Sequence, residues 1–298
     1  MNVLKIAIIG TGTVGSTVAY TLVMGGLSGE LLLVDVDEKR CAGEVDDLTD
    51  AMAFNGVSKI TQGTLLEAGQ ADIIIIAAGI PQKPGQKREE LLEINKNIIN
   101  NIVAGMGVVN QHSIVIVVTN PVDILTRLAQ TLLPLPVSHV FGSGTLLDTQ
   151  RLRQQLATEL SISQNSIHVY VLGEHGDAQF VAWSGARIGE RLLKDFAELS
   201  VEKLQNITQK ARDKAYNIIA CKGATAFGIA ACVQAYCAAI IHNTHVVMPV
   251  SCYVPEFDVC LSMPAVLGKN GIERIIIPEL TAQEYDLLKK SVEAVKLF

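Results

Sequence analysis

The chain has 298 residues, of which 49% are hydrophobic and 18% are charged, against about 25% charged residues in an average domain. This composition excludes a disordered chain, and the length suits two domains. With 24 basic and 30 acidic residues the net charge is −6, so we expect neither nucleic acid nor an anionic membrane as a partner, and the apolar surplus predicts an oligomer.

Short β-rich runs alternate with helical patterns through the first half of the chain. The predicted strands are residues 3–9, 30–35, 59–62, 72–77, 113–119 and 138–141. Their near-continuous Ile and Val content, between helical segments such as 12–24 and 89–109, indicates a parallel sheet covered on both faces. We therefore predict an α/β fold with a doubly wound parallel sheet, a Rossmann domain, over residues 1–143.

Around residue 143 the pattern changes to longer helices. Helices are predicted over 145–160, 201–220, 224–241 and 281–296, and strands over 167–172, 246–253 and 259–266. The uncharged stretch 224–241 resembles a membrane span in length, but polar residues interrupt it, so we expect a buried helix. Residues 144–298 are predicted to form a second, α+β substrate domain.

Six cysteines occur without any C-x-x-C pair. In a long chain whose first residues lead directly into a β-strand rather than a signal peptide, this favours reduced thiols in the core over disulfides or a metal site. We therefore expect a cytoplasmic protein with no bound metal.

The segment Gly10-Thr11-Gly12-Thr13-Val14-Gly15 follows a predicted strand and opens a predicted helix. Glycines at this spacing permit a tight turn, a close approach of backbone N–H groups to a pyrophosphate, and packing of the helix on the strand. Asp35 ends the second strand, where a carboxylate binds the ribose hydroxyls and repels a 2′-phosphate. We predict NAD as cofactor, with a ligand-free turn and a surface aspartate as the alternatives.

The segment Gly173-Glu174-His175-Gly176-Asp177 follows a predicted strand, and its glycines leave the imidazole open to a cleft. Asp148 and Arg151 are spaced i, i+3 and so lie on one helix face. The aspartate can orient the imidazole, and the arginine can bind a substrate carboxylate through two hydrogen bonds. A bystander histidine and a solvated ion pair are the alternatives.

Two further polar segments follow predicted strands of the parallel sheet. Residues 81–88 form a Pro/Gly-rich segment beyond the fourth strand, where doubly wound sheets bind ligands, and could close as a lid. Asn120 ends the fifth strand at the same rim. A solvated loop and a turn residue before proline are the alternatives.

Together these motifs resemble the L-lactate/malate dehydrogenase family, in its bacterial lactate dehydrogenase form, over essentially the whole chain and in order. The residues that carry the resemblance are Gly10, Gly12, Gly15, Asp35, Gln82-Lys83-Pro84-Gly85, Arg88, Thr119-Asn120-Pro121-Val122-Asp123, Asp148, Arg151, Gly173-Glu174-His175-Gly176-Asp177 and Lys222-Gly223-Ala224-Thr225.

The resemblance implies a role for each charged residue of the site. His175 would exchange the proton of the substrate hydroxyl while Asp148 holds its imidazole, and Arg151 would bind the substrate carboxylate. Arg88 would enter with the closing loop and polarise the substrate carbonyl, and closure would expel water.

The resemblance also implies which residues shape the pocket. Asn120 would contact both the cofactor and the substrate carbonyl, and Thr225 would wall the pocket. Malate dehydrogenases of the family carry an arginine at the position of Gln82 to pair with a second carboxylate. The neutral Gln82 therefore favours a substrate with a neutral side chain, pyruvate first.

Two alternatives to a glycolytic lactate dehydrogenase remain open. Gln150, the pair Ala226-Phe227 and residues 179–183 depart from the lactate dehydrogenase pattern, and residues 179–183 resemble branched-chain 2-hydroxyacid dehydrogenases. A broader L-2-hydroxyacid dehydrogenase is therefore the first alternative. An NAD-binding protein without catalytic activity is the second; four residues weigh against it, namely His175, Asp148, Arg151 and Arg88.

A second anion site is predicted away from the chemistry. Arg153 lies about 200° around the helix from Arg151, and with His168 it matches the positions at which many bacterial lactate dehydrogenases bind fructose 1,6-bisphosphate. The resemblance thus implies an allosteric homotetramer. A solvated arginine and an incidental histidine are the alternative.

Overall fold

A large central sheet organises residues 3–27, 29–52, 59–80 and 88–297, which the computed structural model describes. Its first six strands are β1 (Lys5–Ile9), β2 (Glu30–Val34), β3 (Lys59–Gln62), β4 (Ile73–Ile76), β5 (Ile114–Val117) and β6 (Val140–Gly142). They lie in the order β3-β2-β1-β4-β5-β6, and every neighbouring pair is parallel. The order reverses between β1 and β4, which confirms the doubly wound sheet.

Helices cover both faces of this parallel part. They are α1 (Thr13–Met24), α2 (Glu38–Met52), α3 (Leu65–Ala68), α4 (Arg88–Met106) and α5 (Val122–Leu132). Because side chains alternate along a strand, Ile6 and Ile8 of β1 pack in one apolar cluster with α1, whereas Ala7 and Ile9 pack in another with α4 and α5. Burial on both faces explains why these strands contain almost only apolar residues.

The second half of the chain contributes helices and antiparallel strands. The helices are α6 (Leu146–Leu160), α7 (Val201–Lys222), α8 (Phe227–Ile241) and α9 (Ala282–Lys296). The strands are β7 (Ile167–His168), β8 (Val171–Leu172), β9 (Phe180–Val181), β10 (Arg187–Ile188), β11 (Arg191–Leu192), β12 (Val246–Val254), β13 (Val259–Gly268) and β14 (Gly271–Ile275). Strands β12, β13 and β14 extend the main sheet beyond β6 as antiparallel neighbours.

The single strand predicted over 167–172 is wrong, because the chain forms β7 and β8 in two different small sheets. Side chains of α6 form hydrogen bonds with the backbone at the junction of β7 and β8. Arg153 donates to the Val169 carbonyl at 3.2 Å, and the Val171 N–H donates to the Thr149 hydroxyl at 3.0 Å. These groups are therefore not available to one continuous strand ladder.

Helix α8 is the buried helix predicted over 224–241, and it packs against α1. Within the described ranges, no helix combines the length and the apolar character that a bilayer crossing requires. Cys41, Cys232, Cys237, Cys252 and Cys260 are buried as predicted. Cys221 is a correction, because it lies exposed in the last turn of α7.

Candidate active site

Three of the predicted site residues lie along one edge of the sheet. Gly10 and Asp35 directly follow β1 and β2, and Asn120 lies three residues after β5. Strand β4 lies between β1 and β5. The strand order reverses between β1 and β4, and helices on opposite faces leave a crevice there. One continuous rim therefore runs from Asp35 to Asn120.

The glycine-rich turn is shaped by close backbone approaches. Gly10 has φ +96°, and a Cβ there would lie 2.5 Å from the Cα of Ala78 on the neighbouring strand connection. A Cβ on Gly15 would lie 1.8 Å from the Gly10 carbonyl oxygen. A Cβ on Gly12 would meet nothing within 4 Å. Gly10 and Gly15 are thus required by the turn itself, whereas Gly12 keeps an open space in front of it.

The amino end of α1 faces this open space. Gly12 is the N-cap, Thr13 and Val14 begin the helix, and neither a capping side chain nor an acidic residue occupies its first turn. By contrast, Thr64 and Thr281 cap α3 and α9 with their hydroxyls. Uncapped N–H groups at a helix start favour a bound phosphate, so this turn fits the pyrophosphate of a dinucleotide.

The carboxylate of Asp35 is fixed at the end of β2. One oxygen accepts hydrogen bonds from the backbone N–H and the hydroxyl of Thr11, at 2.6 and 3.1 Å, and the other accepts from the Asp37 N–H at 3.0 Å. Burial acts to raise the pKa of Asp35, but these hydrogen bonds outweigh it and lower the pKa. Arg40 is exposed and lies 3.8 Å from Glu44. The lowered pKa keeps the Asp35 carboxylate ionised at neutral pH.

His175, Asp148 and Arg151 form a chain of contacts. The Nδ1 atom of His175 lies 3.0 Å from Oδ2 of Asp148, and Arg151 Nη1 lies 3.3 Å from Oδ1 of the same carboxylate. The His175 contact is a close ion pair rather than a well-aligned hydrogen bond. The side chains of Asp148 and Arg151 are 9% and 7% exposed, whereas that of His175 is 27% exposed. Only the imidazole therefore reaches the cleft appreciably.

The charges of His175, Asp148 and Arg151 shift the pKa values of the imidazole and of the Asp148 carboxylate. Burial acts to lower the pKa of His175, but the charge and contact of Asp148 outweigh it, with a further contribution from Asp123, and the pKa is raised. Burial acts to raise the pKa of Asp148, but His175 and Arg151 outweigh it and the pKa is lowered. The arrangement stabilises a protonated imidazole beside an ionised carboxylate.

A cleft of about 250 Å³ opens beside the His175 side chain. Its lining includes Leu91, Asn120, Asp123, Glu174, His175, Asp177 and Tyr216. Thr225 is half-buried in the turn between α7 and α8, outside this lining. Gln82 lies outside the described residues, and so does the side chain of Arg88, whose backbone begins α4.

Asp123 has no predicted role of its own and belongs to the motif Thr119-Asn120-Pro121-Val122-Asp123. The Asp123 carboxylate is 3% exposed and accepts the His175 backbone N–H at 2.7 Å and the Ser251 hydroxyl at 2.5 Å. Burial raises the pKa of Asp123 to about 6. The available signal was an acidic residue in the first turn of the helix that follows β5; nothing in the sequence marks Ser251.

The two predicted effector residues lie on the far side of α6. Arg153 leaves the helix away from Arg151, donates to the Val169 carbonyl and places its guanidinium 5.3 Å from the centre of the Tyr170 ring. His168 is exposed on β7, directly opposite Arg187 of β10. The Arg187 guanidinium and the His168 imidazole thus lie near the same surface as Arg153.

Comparison with known proteins gives matches over the full length. The family models described as lactate/malate dehydrogenase, NAD binding domain and lactate/malate dehydrogenase, alpha/beta C-terminal domain match residues 4–142 and 145–297. L-lactate dehydrogenase A of Rhizopus oryzae is 43% identical and covers 98% of this chain and 91% of the relative. L-lactate dehydrogenase 2 of Enterococcus faecalis is 38% identical, with 98% and 95% covered. The crystal structure of the minor L-lactate dehydrogenase from Enterococcus mundtii superposes with a TM-score of 0.95 at 36% identity, over 99% and 97% of the two chains.

Proposed function

Because this chain belongs to the lactate/malate dehydrogenase family, we propose that it is an NAD-dependent L-lactate dehydrogenase, which interconverts pyruvate and L-lactate. The observation that carries the proposal is the contact chain from Arg151 through Asp148 to His175 beside the cleft. It combines a proton donor, a carboxylate that keeps the donor charged, and a cation for a substrate carboxylate.

NAD, bound at the glycine-rich turn, supplies the hydride acceptor for lactate and, in its reduced form, the hydride donor for pyruvate. His175 gives its proton to the carbonyl oxygen of pyruvate and takes it back from the hydroxyl of lactate. Asp148 stabilises the protonated imidazole through the contact at 3.0 Å. Arg151, whose buried guanidinium contacts Asp148 behind the imidazole and lies outside the lining of the cleft, binds the substrate carboxylate, and its burial keeps water from weakening that ion pair.

Three further residues complete the proposed site. Arg88 polarises the substrate carbonyl and stabilises the charge that develops on its oxygen. Asn120, at the rim after β5, contacts both the cofactor and that carbonyl, and its place in the cleft lining supports this role. Thr225 limits the pocket from the turn between α7 and α8.

Gln82 supports pyruvate over oxaloacetate, since a neutral residue gives no partner to a second substrate carboxylate. The test is NADH oxidation with pyruvate, 2-oxoisocaproate and oxaloacetate side by side, in the wild type and in Gln82→Arg. We expect the wild type to prefer pyruvate and the variant to shift towards oxaloacetate by at least about 30-fold in the ratio of kcat/KM values. A wild-type preference for 2-oxoisocaproate would favour the broader 2-hydroxyacid dehydrogenase.

The proposal includes a homotetramer in the cytoplasm that responds to fructose 1,6-bisphosphate. Exposed apolar side chains such as Tyr20, Val201 and Phe227 support contacts between subunits. The exposed His168 with Arg187 opposite it, close to Arg153, supports a phosphate site. Buried free thiols support a reducing compartment.

A further inference from the structure

The catalytic loop, residues 173–177, is attached to helix α5 through one carboxylate. Asp123, in the first turn of α5, accepts the backbone N–H of His175 at 2.7 Å and the Ser251 hydroxyl of β12 at 2.5 Å. At 3% exposure Asp123 is almost fully shielded from bulk water. One oxygen of the carboxylate therefore holds the main chain of His175, and the other holds strand β12.

A buried carboxylate is a costly way to make these contacts. An asparagine could accept the His175 N–H with its oxygen and donate to the Ser251 oxygen with its amide, without desolvating a charge. Burial raises the pKa of Asp123 to about 6, so the group is mainly ionised at neutral pH. The negative charge itself therefore requires an explanation.

The ionisable surroundings identify what that charge acts on. The titratable side chains facing this region from the elements around α5 are Lys96 of α4, Arg127 of α5, Glu174, His175 and Asp177 of the catalytic loop, Tyr216 of α7, Cys252 of β12 and Cys260 of β13. Lys96 lies 2.9 Å from Glu93, Arg127 lies 3.2 Å from Asp258, and burial keeps both thiols protonated by raising their pKa values. His175 remains as the cation that Asp123 influences most directly.

We propose that Asp123 is a positioning residue for His175: its carboxylate fixes the main chain of the catalytic loop and adds a second negative charge, besides that of Asp148, to the surroundings of the imidazole. The inference rests on the proposed function, because it concerns the proton that His175 transfers. Asp148 contacts the ring from α6, and Asp123 holds the backbone of the same residue from α5. The histidine is thus fixed from the two halves of the molecule.

Two substitutions separate the two parts of this role. Asp123→Asn keeps both hydrogen bonds and removes the charge, whereas Asp123→Ala removes both. For Asp123→Asn we expect the pH at which pyruvate reduction falls to half its maximum to move to lower pH by about 1 unit, since a nearby opposite charge favours the protonated imidazole. Its Tm should equal or exceed that of the wild type, because a buried charge is lost. Asp123→Ala should in addition lose at least about tenfold in kcat.

The experiment measures pH profiles of kcat in both directions, together with Tm, for the wild type, both variants and Asp286→Asn. Asp286 is a matched control on α9, with a side chain that is 70% exposed, and its variant should keep the wild-type profile. An unmoved pH midpoint in Asp123→Asn with an active wild type would overturn the proposed charge role, even if Asp123→Ala failed to fold. A wild type without pyruvate reduction would instead overturn the proposed function.

Discussion

At the scale of single residues, the charge of Asp148 decides which protonation state His175 holds. Pyruvate reduction uses the protonated imidazole, so its rate should fall as the pH rises through the raised pKa of His175, and lactate oxidation should rise over the same range. In Asp148→Asn the largest effect that raises the pKa of His175 is lost and burial is opposed only by the smaller effect of Asp123, so both transitions should move to lower pH by about 1 unit or more. We expect kcat to fall by at least about 100-fold. Rates measured across the pH range test this, and transitions at the wild-type pH would contradict it.

Asp35 governs cofactor choice at the same scale. Asp35→Ser removes the repulsion of a 2′-phosphate and the charged hydrogen bonds to the ribose, so NADH affinity should fall about 10- to 100-fold and the preference over NADPH should relax. The effect should appear in the KM of the cofactor more than in kcat. Asp37→Ser is the matched control, because the Asp37 carboxylate accepts the Arg40 N–H in the first turn of α2 and the backbone N–H that donates to Asp35 is kept. Comparable kcat/KM values for NADH and NADPH in the wild type would contradict the assignment.

Residue types and spacing were enough to predict the glycine-rich turn, the place of Asp35 at the end of the second strand, and the contact of Asp148 with His175. The sign of the His175 pKa shift was not predictable, because burial and Asp148 act in opposite directions and only their geometry decides the balance. The hydrogen bond from Ser251 to Asp123 joins residues 128 positions apart, and no local sequence pattern indicates such a pair.

At the scale of elements, the start of α1 separates fold from ligand binding. In Gly15→Ala the new methyl group would lie 1.8 Å from the Gly10 carbonyl oxygen, so α1 must shift and we expect a stability loss of about 1–3 kcal/mol or more. In Gly12→Ala the methyl meets no protein atom within 4 Å. This variant should lose less stability but weaken NADH binding, because the methyl occupies the space that the pyrophosphate needs.

Thermal unfolding and a fluorescence titration with NADH measure the two effects separately. If Gly12→Ala bound NADH as tightly as the wild type, the dinucleotide would not approach this turn. If Gly15→Ala kept the wild-type Tm, the packing of α1 on β1 would be looser than described.

Elements with a strong apolar period were predicted well, whereas short ones were not. All six parallel strands and the long helices of the second half were expected from their patterns. Strands β9, β10 and β11 have two residues each and no usable period. Strand β14 was missed despite a hairpin signal: only Lys269-Asn270 separates it from β13, and its first residue, Gly271, has φ +78°.

At the scale of the whole molecule, one sheet joins the two halves of the chain, because β12 pairs with β6. The division near residue 143 stays a prediction, and so does the tetramer. We expect millimolar fructose 1,6-bisphosphate to promote tetramers or to lower the KM for pyruvate. Arg153→Gln should abolish the response.

Sedimentation and pyruvate saturation curves, with and without the bisphosphate, test this response. Arg274→Gln, an exposed arginine on β14, is the matched control and should respond as the wild type does. Identical curves for the wild type with and without the bisphosphate would contradict a bisphosphate site at Arg153 and His168.

The central claim is that this chain reduces pyruvate with NADH and that His175 supplies the proton. The most direct measurement is NADH oxidation by pyruvate in the wild type and in His175→Asn, with NADH binding measured on both proteins. We predict pyruvate turnover by the wild type, a loss of at least about 100-fold in kcat in the variant, and retained NADH binding. Wild-type turnover in His175→Asn, or a wild type that binds NADH without reducing pyruvate, would contradict the account.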